Sequence, residues 1–236
     1  MDKEKLLKKL KQDPIRNMST IGFVENNQIE KVLNKGNSYI IIAESDHLWA
    51  YLASKNQDEL KFLLLNNEIG TKYFASVEDW MLPLLTDNNE KEWMLKTRRY
   101  YFPENAKLKE PVNKVDSLFE KDIEVILDHS NYAEYLSHDL LLKRMNDGPT
   151  AAIRVDGKLV AWGLTHDDKS LGFLHVLSDY RNNGYARDIG RYLVNKKREM
   201  DEMIYLNIEP DNKKSIKLTE GLGFKYDRNI SWVKLK

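Results

Sequence analysis

The sequence predicts an α+β fold: a mixed α/β sheet carried by two domains, the smaller one first. Three observations predict it. The chain has 236 residues, long for one compact domain and comfortable for two. Runs rich in β-branched and aromatic residues alternate with helical patterns along the whole length, as expected of a sheet covered by helices. Glycine is unevenly spread: Gly22, Gly36 and Gly70 precede residue 147, and the other eight of the eleven follow it. Tight turns are therefore concentrated in the second half. The polar, proline-marked stretch FPENAKLKEPVNKVD, 102–116, reads as a linker. It leaves an N-terminal α+β domain over 1–105 and a second domain over 112–236.

The elements follow in order. Over 3–11, Leu6, Leu7 and Leu10 share one helical face among lysines; three leucines are too few to anchor in a membrane, so the helix is expected to dock on protein. SYIIIAES and HLWAYLAS read as a β-hairpin across Asp46–His47. A helix around 57–66 has Asn56 or Asp58 as its cap. A strand at KYFASV, a short helix near DWMLPLL and a strand through EWMLKTRRYYF complete the first domain. After the linker, helices run through DIEVILDHS and AEYLSHDLLLKRM, and strands TAAIRV and KLVAWGLTH flank the turn Asp156–Gly157, a pair suited to tight hairpins. The strand LGFLHVL leads into a helix with Ala186, Ile189 and Leu193 on one face. MIYLNIE, the amphipathic NKKSIKLTEGLG and the strand NISWVKL close the chain.

Composition narrows the function. With 42% hydrophobic and 10% aromatic residues the chain can bury a sizeable core. Its 37 basic and 37 acidic residues give a net charge of +0, which argues against a nucleic-acid partner. The absence of cysteine removes disulfides and thiolate metal sites and fits a reducing compartment. The charged start MDKEKLLKKLKQD lacks the apolar run of a signal peptide, and no stretch is long enough to cross a bilayer. A cytoplasmic location with no membrane partner is the expectation.

The chemistry concentrates in RNNGYARDIG, 181–190, a strand-to-helix turn. The first peptide N–H groups of a helix lack intrahelical partners and carry the positive end of its dipole, so a phosphate fits there. Gly184 lets the backbone approach closely, Ala186 keeps the first turn slim, and Arg181 adds a full charge. The expected ligand is a diphosphate. Neither GxxxxGK[ST] nor GxGxxG occurs, which excludes a P-loop and the dinucleotide fingerprint.

A second motif follows the next strand: Asn212, Ser215, Leu218 and Thr219 on a helix that ends in Gly223–Phe224. Together with Arg181-x-x-Gly184-x-Ala186 it resembles the GNAT superfamily of acyl-CoA N-acyltransferases. That family has Q/R-x-x-G-x-G/A after its fourth strand, then an Asn opening a helix and a Gly-Phe pair at its end. The element order over 112–236 is also similar. The two-part layout looks most like the glycine N-acyltransferase relatives, in which a divergent, degenerate GNAT half comes first; residues 1–111 contain no counterpart of the pyrophosphate loop.

The resemblance implies acetyl-CoA as acyl donor, with no metal, and a small-molecule amine or amino acid as acceptor. His175, Val176 and Leu177 would run beside the pantetheine arm. Asn182, Asn183, Gly184, Tyr185, Ala186 and Arg187 would wrap the pyrophosphate, and Asn212 would reach the pantetheine or the reacting end. The family's fourth and fifth strands, here LGFLHVL and MIYLNIE, splay to leave a slot for the thioester. The oligomeric state stays open, a homodimer included.

Direct transfer requires a neutral amine, yet an alkylamine has a pKa near 10.4, so a base must remove a proton. Several family members place a Glu on the fourth strand; LGFLHVL has no carboxylate. Alternation puts Leu171, Phe173, His175 and Leu177 on one face, which makes His175 the candidate base and the N–H near Leu177 the candidate oxyanion donor. The family's acidic Tyr is replaced by Thr219, a packing or capping residue; Tyr205 and Tyr185 are the substitutes, and solvent is a further proton source. A CoA-binding sensor or scaffold without catalysis is the rival reading. Three other groups read as structural: His166-Asp167-Asp168 as a solvated hairpin tip rather than a metal site, Glu78-Asp79-Trp80 as a helix start, and Lys96, Arg98 and Arg99 beside Tyr100 and Tyr101 as an exposed strand face.

Overall fold

The structure is a computed structural model and describes residues 1–87, 89–130 and 136–236. The fold is mixed α/β, as the sequence predicts. The chain divides into two compact units, each assembled from non-contiguous segments: Met1–Arg99 with Ile208–Asn212 and Tyr226–Lys236, and Tyr100–Asn207 with Lys213–Lys225.

In the first unit, α1 (Lys3–Leu10) is capped by Asp2, whose side chain accepts from Lys5 N at 2.8 Å. Leu6 and Leu10 are buried, so the helix docks on protein. A second helix, α2 (Pro14–Asn26), starts with Pro14 after the Asp13 cap, and was not expected. Its residues from Met18 to Val24 are all buried; a helix covered all round shows no amphipathic period. The first strand, β1 (Ile29–Lys35), was also unexpected: only Leu33 is buried, so no apolar alternation marks it. It pairs with β2 (Ser38–Glu44), which pairs with β3 (Leu48–Ala53), both antiparallel. Helix α3 (Gln57–Leu65) is capped by Asn56, which accepts from Asp58 N and Glu59 N at 2.9 and 3.1 Å. It leads to β4 (Tyr73–Glu78), parallel to β3 with Trp49↔Tyr73, Ala50↔Phe74 and Tyr51↔Ala75 in register. Helix α4 (Leu82–Thr86) and strand β5 (Lys91–Tyr101) follow. Ile40, Ile42, Leu52, Leu60, Leu63, Phe74 and Val77 form the core, and Phe23 of α2 stacks on Tyr51 at 3.8 Å.

The basic face of β5 is split by strand alternation. Lys96 pairs with Asp79 at 3.0 Å, and Arg98 is exposed. Arg99, expected outside, is buried (1% exposed): it binds Asp227 at 2.6 Å and the carbonyl of Arg16 at 2.9 Å. Glu78 pairs with Arg16 and Arg228 at 3.0 and 3.1 Å; these acids belong to an ion-pair network.

In the second unit, α5 (Ile123–Asp128) and α6 (His138–Asp147) precede three antiparallel strands, β6 (Ala151–Val155), β7 (Lys158–Thr165) and β8 (Leu171–Val176). Ala133–Tyr135, where the sixth helix was expected to begin, lie outside the described residues. Asp156 and Gly157 turn with φ +50° and +77°, the primed geometry a two-residue hairpin needs. Helix α7 (Tyr185–Glu199) then connects β8 to the parallel strand β9 (Tyr205–Ile208), and α8 (Lys213–Leu222) leads to β10 (Lys225–Leu235), whose residues from Tyr226 on belong to the first unit. One face of β6–β8 packs Ala152, Trp162 and Leu164 against Ile123, Ile126 and Leu141. The other lies under α7: a Cβ on Gly163 would meet Ile189 and Leu193 at 2.8 and 3.0 Å.

The expected linker is strapped along α7. Asp188 accepts from Asn113 N and Nδ2 at 2.9 and 2.7 Å, Asn195 donates to Glu110 at 3.1 Å, and Arg198 to the Ala106 carbonyl. Within each unit the same succession occurs: two helices, three strands, a helix, a strand, as α1-α2-β1-β2-β3-α3-β4 and again as α5-α6-β6-β7-β8-α7-β9.

Candidate functional site

β8 is irregular where chemistry was expected. Trp162 pairs with His175 and Leu164 with Gly172, so β8 carries one residue more than β7 between those rungs. This is a β-bulge, and Phe173 sits in it at φ +52°. The extra residue resets the alternation. His175 and Leu177 share the face of Trp162, but Leu171, paired with Thr165, lies on the other. The single expected face over Leu171–Leu177 is therefore corrected: a bulge is not visible in a period-2 count.

Past the bulge, β8 loses its second neighbour. It pairs with β9 only through Leu171↔Leu206. By contrast β3 and β4 stay paired over three rungs. The edge of β8 beyond Leu171 that faces away from β7 is thus open. Leu177 does not supply a donor to that edge, because its N–H is donated to the Val160 carbonyl at 2.9 Å. Successive N–H groups on a strand point to opposite edges. The donor on the open edge is that of Val176, whose carbonyl, on the same edge, accepts from Arg181 Nε at 3.1 Å.

His175 stacks on Trp162 at 4.6 Å and 17° and stands 5.9 Å from the His129 ring. Burial, then the neighbouring His129 and Arg181, depress its pKa below the ordinary 6.5, so the imidazole is neutral at pH 7. A depression of about 460 Å³ lies here, lined among others by Asp128, His129, His175, Asp179 and Arg181. His129 was missed; it caps the C-terminus of α5, far away in sequence, and no local pattern marks it.

At the end of this strand the chain builds an open helix start. Gly184 is the N-cap of α7 at φ +81°, with no side-chain cap, and Asn182 is also left-handed at φ +66°. Asn183 Nδ2 ties the turn to the carbonyls of Tyr180 and Arg181 at 3.1 and 3.3 Å. Arg187 N and Asp188 N bond to the Gly184 carbonyl, while the N–H groups of Gly184, Tyr185 and Ala186 have no partner among the described residues. Arg181 and Arg187 are exposed. Such donors, on a positive dipole end, can hold a phosphate. The acid in this turn, Asp188, is turned away: burial pushes its pKa up, but the Asn113 donors, the Val112 N–H and Arg191 outweigh that and hold it low.

Helix α3 offers the opposite arrangement. Asn56 caps it, Asp58 and Glu59 occupy its first turn, and Glu59 accepts from Ser38 Oγ at 2.7 Å.

The remaining candidates fall as follows. Asn212 is exposed, immediately precedes α8 and packs with the first unit. Thr219 is buried, and its carbonyl accepts from Phe224 N. The Tyr205 hydroxyl donates to the Asp168 carbonyl. Asp168 itself, expected on a solvated tip, is 1% exposed. Burial, then the adjacent Asp167, push its pKa from 3.8 to about 6 against the opposing Ser170 donors and Lys197. Around it Lys197, fully buried, binds the Lys169 carbonyl at 2.7 Å and Glu202 at 3.0 Å. That turn ties the hairpin to α7. Among the described residues no group of three or more His, Cys, Asp or Glu could hold a metal ion, and no helix is long and apolar enough to cross a membrane.

Comparison with known proteins adds the fold's context. The family model of FR47-like proteins matches residues 153–233. A Drosophila protein of known structure superposes with a TM-score of 0.83 at 14% identity, over 100% of this chain and 97% of that one. A GCN5-related N-acetyltransferase from Kribbella flavida gives 0.62 at 12%, over 94% and 97%. A tandem GNAT protein from the clavulanic acid biosynthesis pathway gives 0.57 at 10%, over 93% and 87%. No curated protein matches the sequence. The fold is that of the GNAT acetyltransferases.

Proposed function

We propose that the chain is an acyl-CoA-dependent N-acyltransferase, moving an acetyl group from acetyl-CoA to the amine of a small molecule or amino acid. One observation carries the reading: β8 parts from β9 after a single rung, and the strand it frees leads directly into the open, uncapped N-terminus of α7. A slot and an anion cradle thus stand in series on one element. Unit one closes both counterparts, since β3 and β4 remain paired and Asn56 caps α3. We read it as a degenerate GNAT half, so that one cofactor binds per chain.

In this reading Asn182–Arg187 hold the diphosphate, with Arg181 adding charge, and the Val176 carbonyl lines the arm. Asn212 stays a cofactor-binding residue in the proposal. Acyl-CoA supplies the acyl group activated as a thioester. Val176 N–H replaces that of Leu177 as the oxyanion donor, a preorganised peptide dipole that needs no reorientation during reaction. His175, neutral at pH 7 and fixed by Trp162, takes the amine proton on an imidazole nitrogen, directly or through water. With the Tyr205 hydroxyl engaged and Thr219 buried, solvent is the proton source for the leaving thiolate.

The test is a thiol-release assay over a panel of amines and amino acids, run beside CoA titration. Release with at least one acceptor is expected. CoA binding with silence across the panel would favour a non-catalytic sensor, and no binding would remove both readings.

A further inference from the structure

Asn183–Gly184 is the only Asn-Gly pair in the chain, and it stands in the cradle itself. Both residues are exposed. Beside any asparagine, the next peptide nitrogen can close a five-membered ring on the carboxamide carbon. Three things ordinarily keep the two from reacting: a Cβ on the following residue, a hydrogen bond that engages its N–H, and the cost of a peptide anion. None of them guards this pair. Gly184 has no Cβ, and no atom lies within 4 Å of where one would stand. Its N–H has no partner among the described residues. As the N-cap of the 15-residue α7, it sits at the positive end of the dipole, which favours negative charge on its nitrogen.

We propose that Asn183 is a self-modification site that closes the cradle in the unliganded chain. The Gly184 nitrogen gives its proton to water and attacks Cγ of Asn183. A bond from that nitrogen to Cγ forms, the Cγ–Nδ2 bond breaks, and Nδ2 takes up a proton and leaves as ammonia. Water then opens the cyclic imide and leaves aspartate or isoaspartate at 183; no oxidant or cofactor enters. The new carboxylate accepts hydrogen bonds and cannot donate them. The bonds from Asn183 Nδ2 to the carbonyls of Tyr180 and Arg181, at 3.1 and 3.3 Å, are therefore lost. A negative charge now stands among the donors meant for a phosphate. A ligand on the Gly184 N–H blocks the attack, so a liganded chain is preserved and a free one is retired. That protection rests on the CoA reading above; the modification does not.

The wild-type chain, incubated at mildly alkaline pH with and without CoA, tests this; residue 183 is read by peptide mass and isoaspartate labelling. Acid at 183 is expected to accumulate faster than at any other asparagine, and faster as pH rises. CoA at 100 times its dissociation constant should slow it by up to about 100-fold, the ratio of total to free chain. The nucleotide 3′-phospho-ADP, which carries the same phosphates without the pantetheine arm, should protect as well. Asn183→Asp is expected to weaken CoA by at least about tenfold at low salt. Asn183→Ala, which loses the same two bonds without gaining charge, should weaken it less, and added salt should narrow the gap. An intact amide at 183 when other asparagines have reacted overturns the inference. So does a rate that bound CoA leaves unchanged, or an aspartate variant that binds CoA as well as the alanine one. A wild-type chain that binds no CoA removes the proposed function and the protection with it, whereas acid accumulating at 183 would still establish the modification.

Discussion

Replacing Gly184 separates backbone torsion from ligand binding. The residue holds φ +81°, and a Cβ added there would meet nothing within 4 Å. No clash inside the chain opposes a side chain, so the cost to folding is torsional: about 1–2 kcal/mol for a residue with a Cβ in the left-handed region. Gly184→Asn should cost least, because asparagine visits that region readily, and Gly184→Val most. For the ligand the stakes are larger. If valine relaxes out of the left-handed well, the peptide planes carrying the N–H groups of Gly184 and Tyr185 rotate away from a common focus. A charge-assisted hydrogen bond is worth about 1.5–3 kcal/mol, so losing one donor weakens CoA by roughly 10- to 100-fold. Urea unfolding of the free variants measures the first quantity and calorimetric titration with CoA the second. A folded Gly184→Val that binds CoA with wild-type affinity would refute the cradle. An asparagine variant as unstable as the valine one would refute the torsional argument.

Three further outcomes are expected. His175→Gln should leave CoA affinity intact and lower kcat by about 10²–10⁴-fold, the usual weight of a general base; in the wild type the rate should fall as pH drops through a value below 6.5, where the depressed imidazole gains its proton, and a rate unchanged at pH 7 retires the residue. Asp168 holds its proton more tightly folded than unfolded, about 6 against 3.8, so its contribution is fully favourable below pH 3.8 and is lost as pH rises through 6. Asp168→Asn should therefore gain on the wild type across that window, by up to about 3 kcal/mol at pH 7, and parallel urea-unfolding curves from pH 4 to 7.5 would contradict this. Asp227→Ala should cost about 3–5 kcal/mol by leaving the Arg99 guanidinium buried without its 2.6 Å partner; a loss under 1 kcal/mol in urea would mean that the carbonyls of Ile15 and Arg16 suffice.

The sequence makes the motif-bearing parts legible because their physics is local. The turn at Asp156–Gly157, the cap at Asn56 and the glycine at 184 each require a residue type at one backbone position, and a single chain of letters displays that. What stayed hidden depends on partners distant in sequence. Helix α2 is buried on every side and β1 on almost none, so neither has the half-buried period on which reading relies. The bulge at Phe173 arises from register against β7, and it moved Leu171 to the other face. Leu177 was proposed as donor because its strand was read in isolation; the Val160 carbonyl that takes its N–H belongs to the neighbouring strand. His129 meets His175 only through the fold, 5.9 Å ring to ring, and no local pattern announces that contact. Arg99 reads as surface charge until its Asp227 partner, 128 residues on, is in view.

The most direct measurement is calorimetric titration of CoA into this chain, with 3′-phospho-ADP as competitor. The account predicts one CoA per chain, displaced by the competitor, and about 2.7 kcal/mol of added stability at 100 times the dissociation constant. No heat and no thermal shift at saturating CoA would contradict it at the root; two equivalents per chain would contradict the capped, paired reading of the first unit.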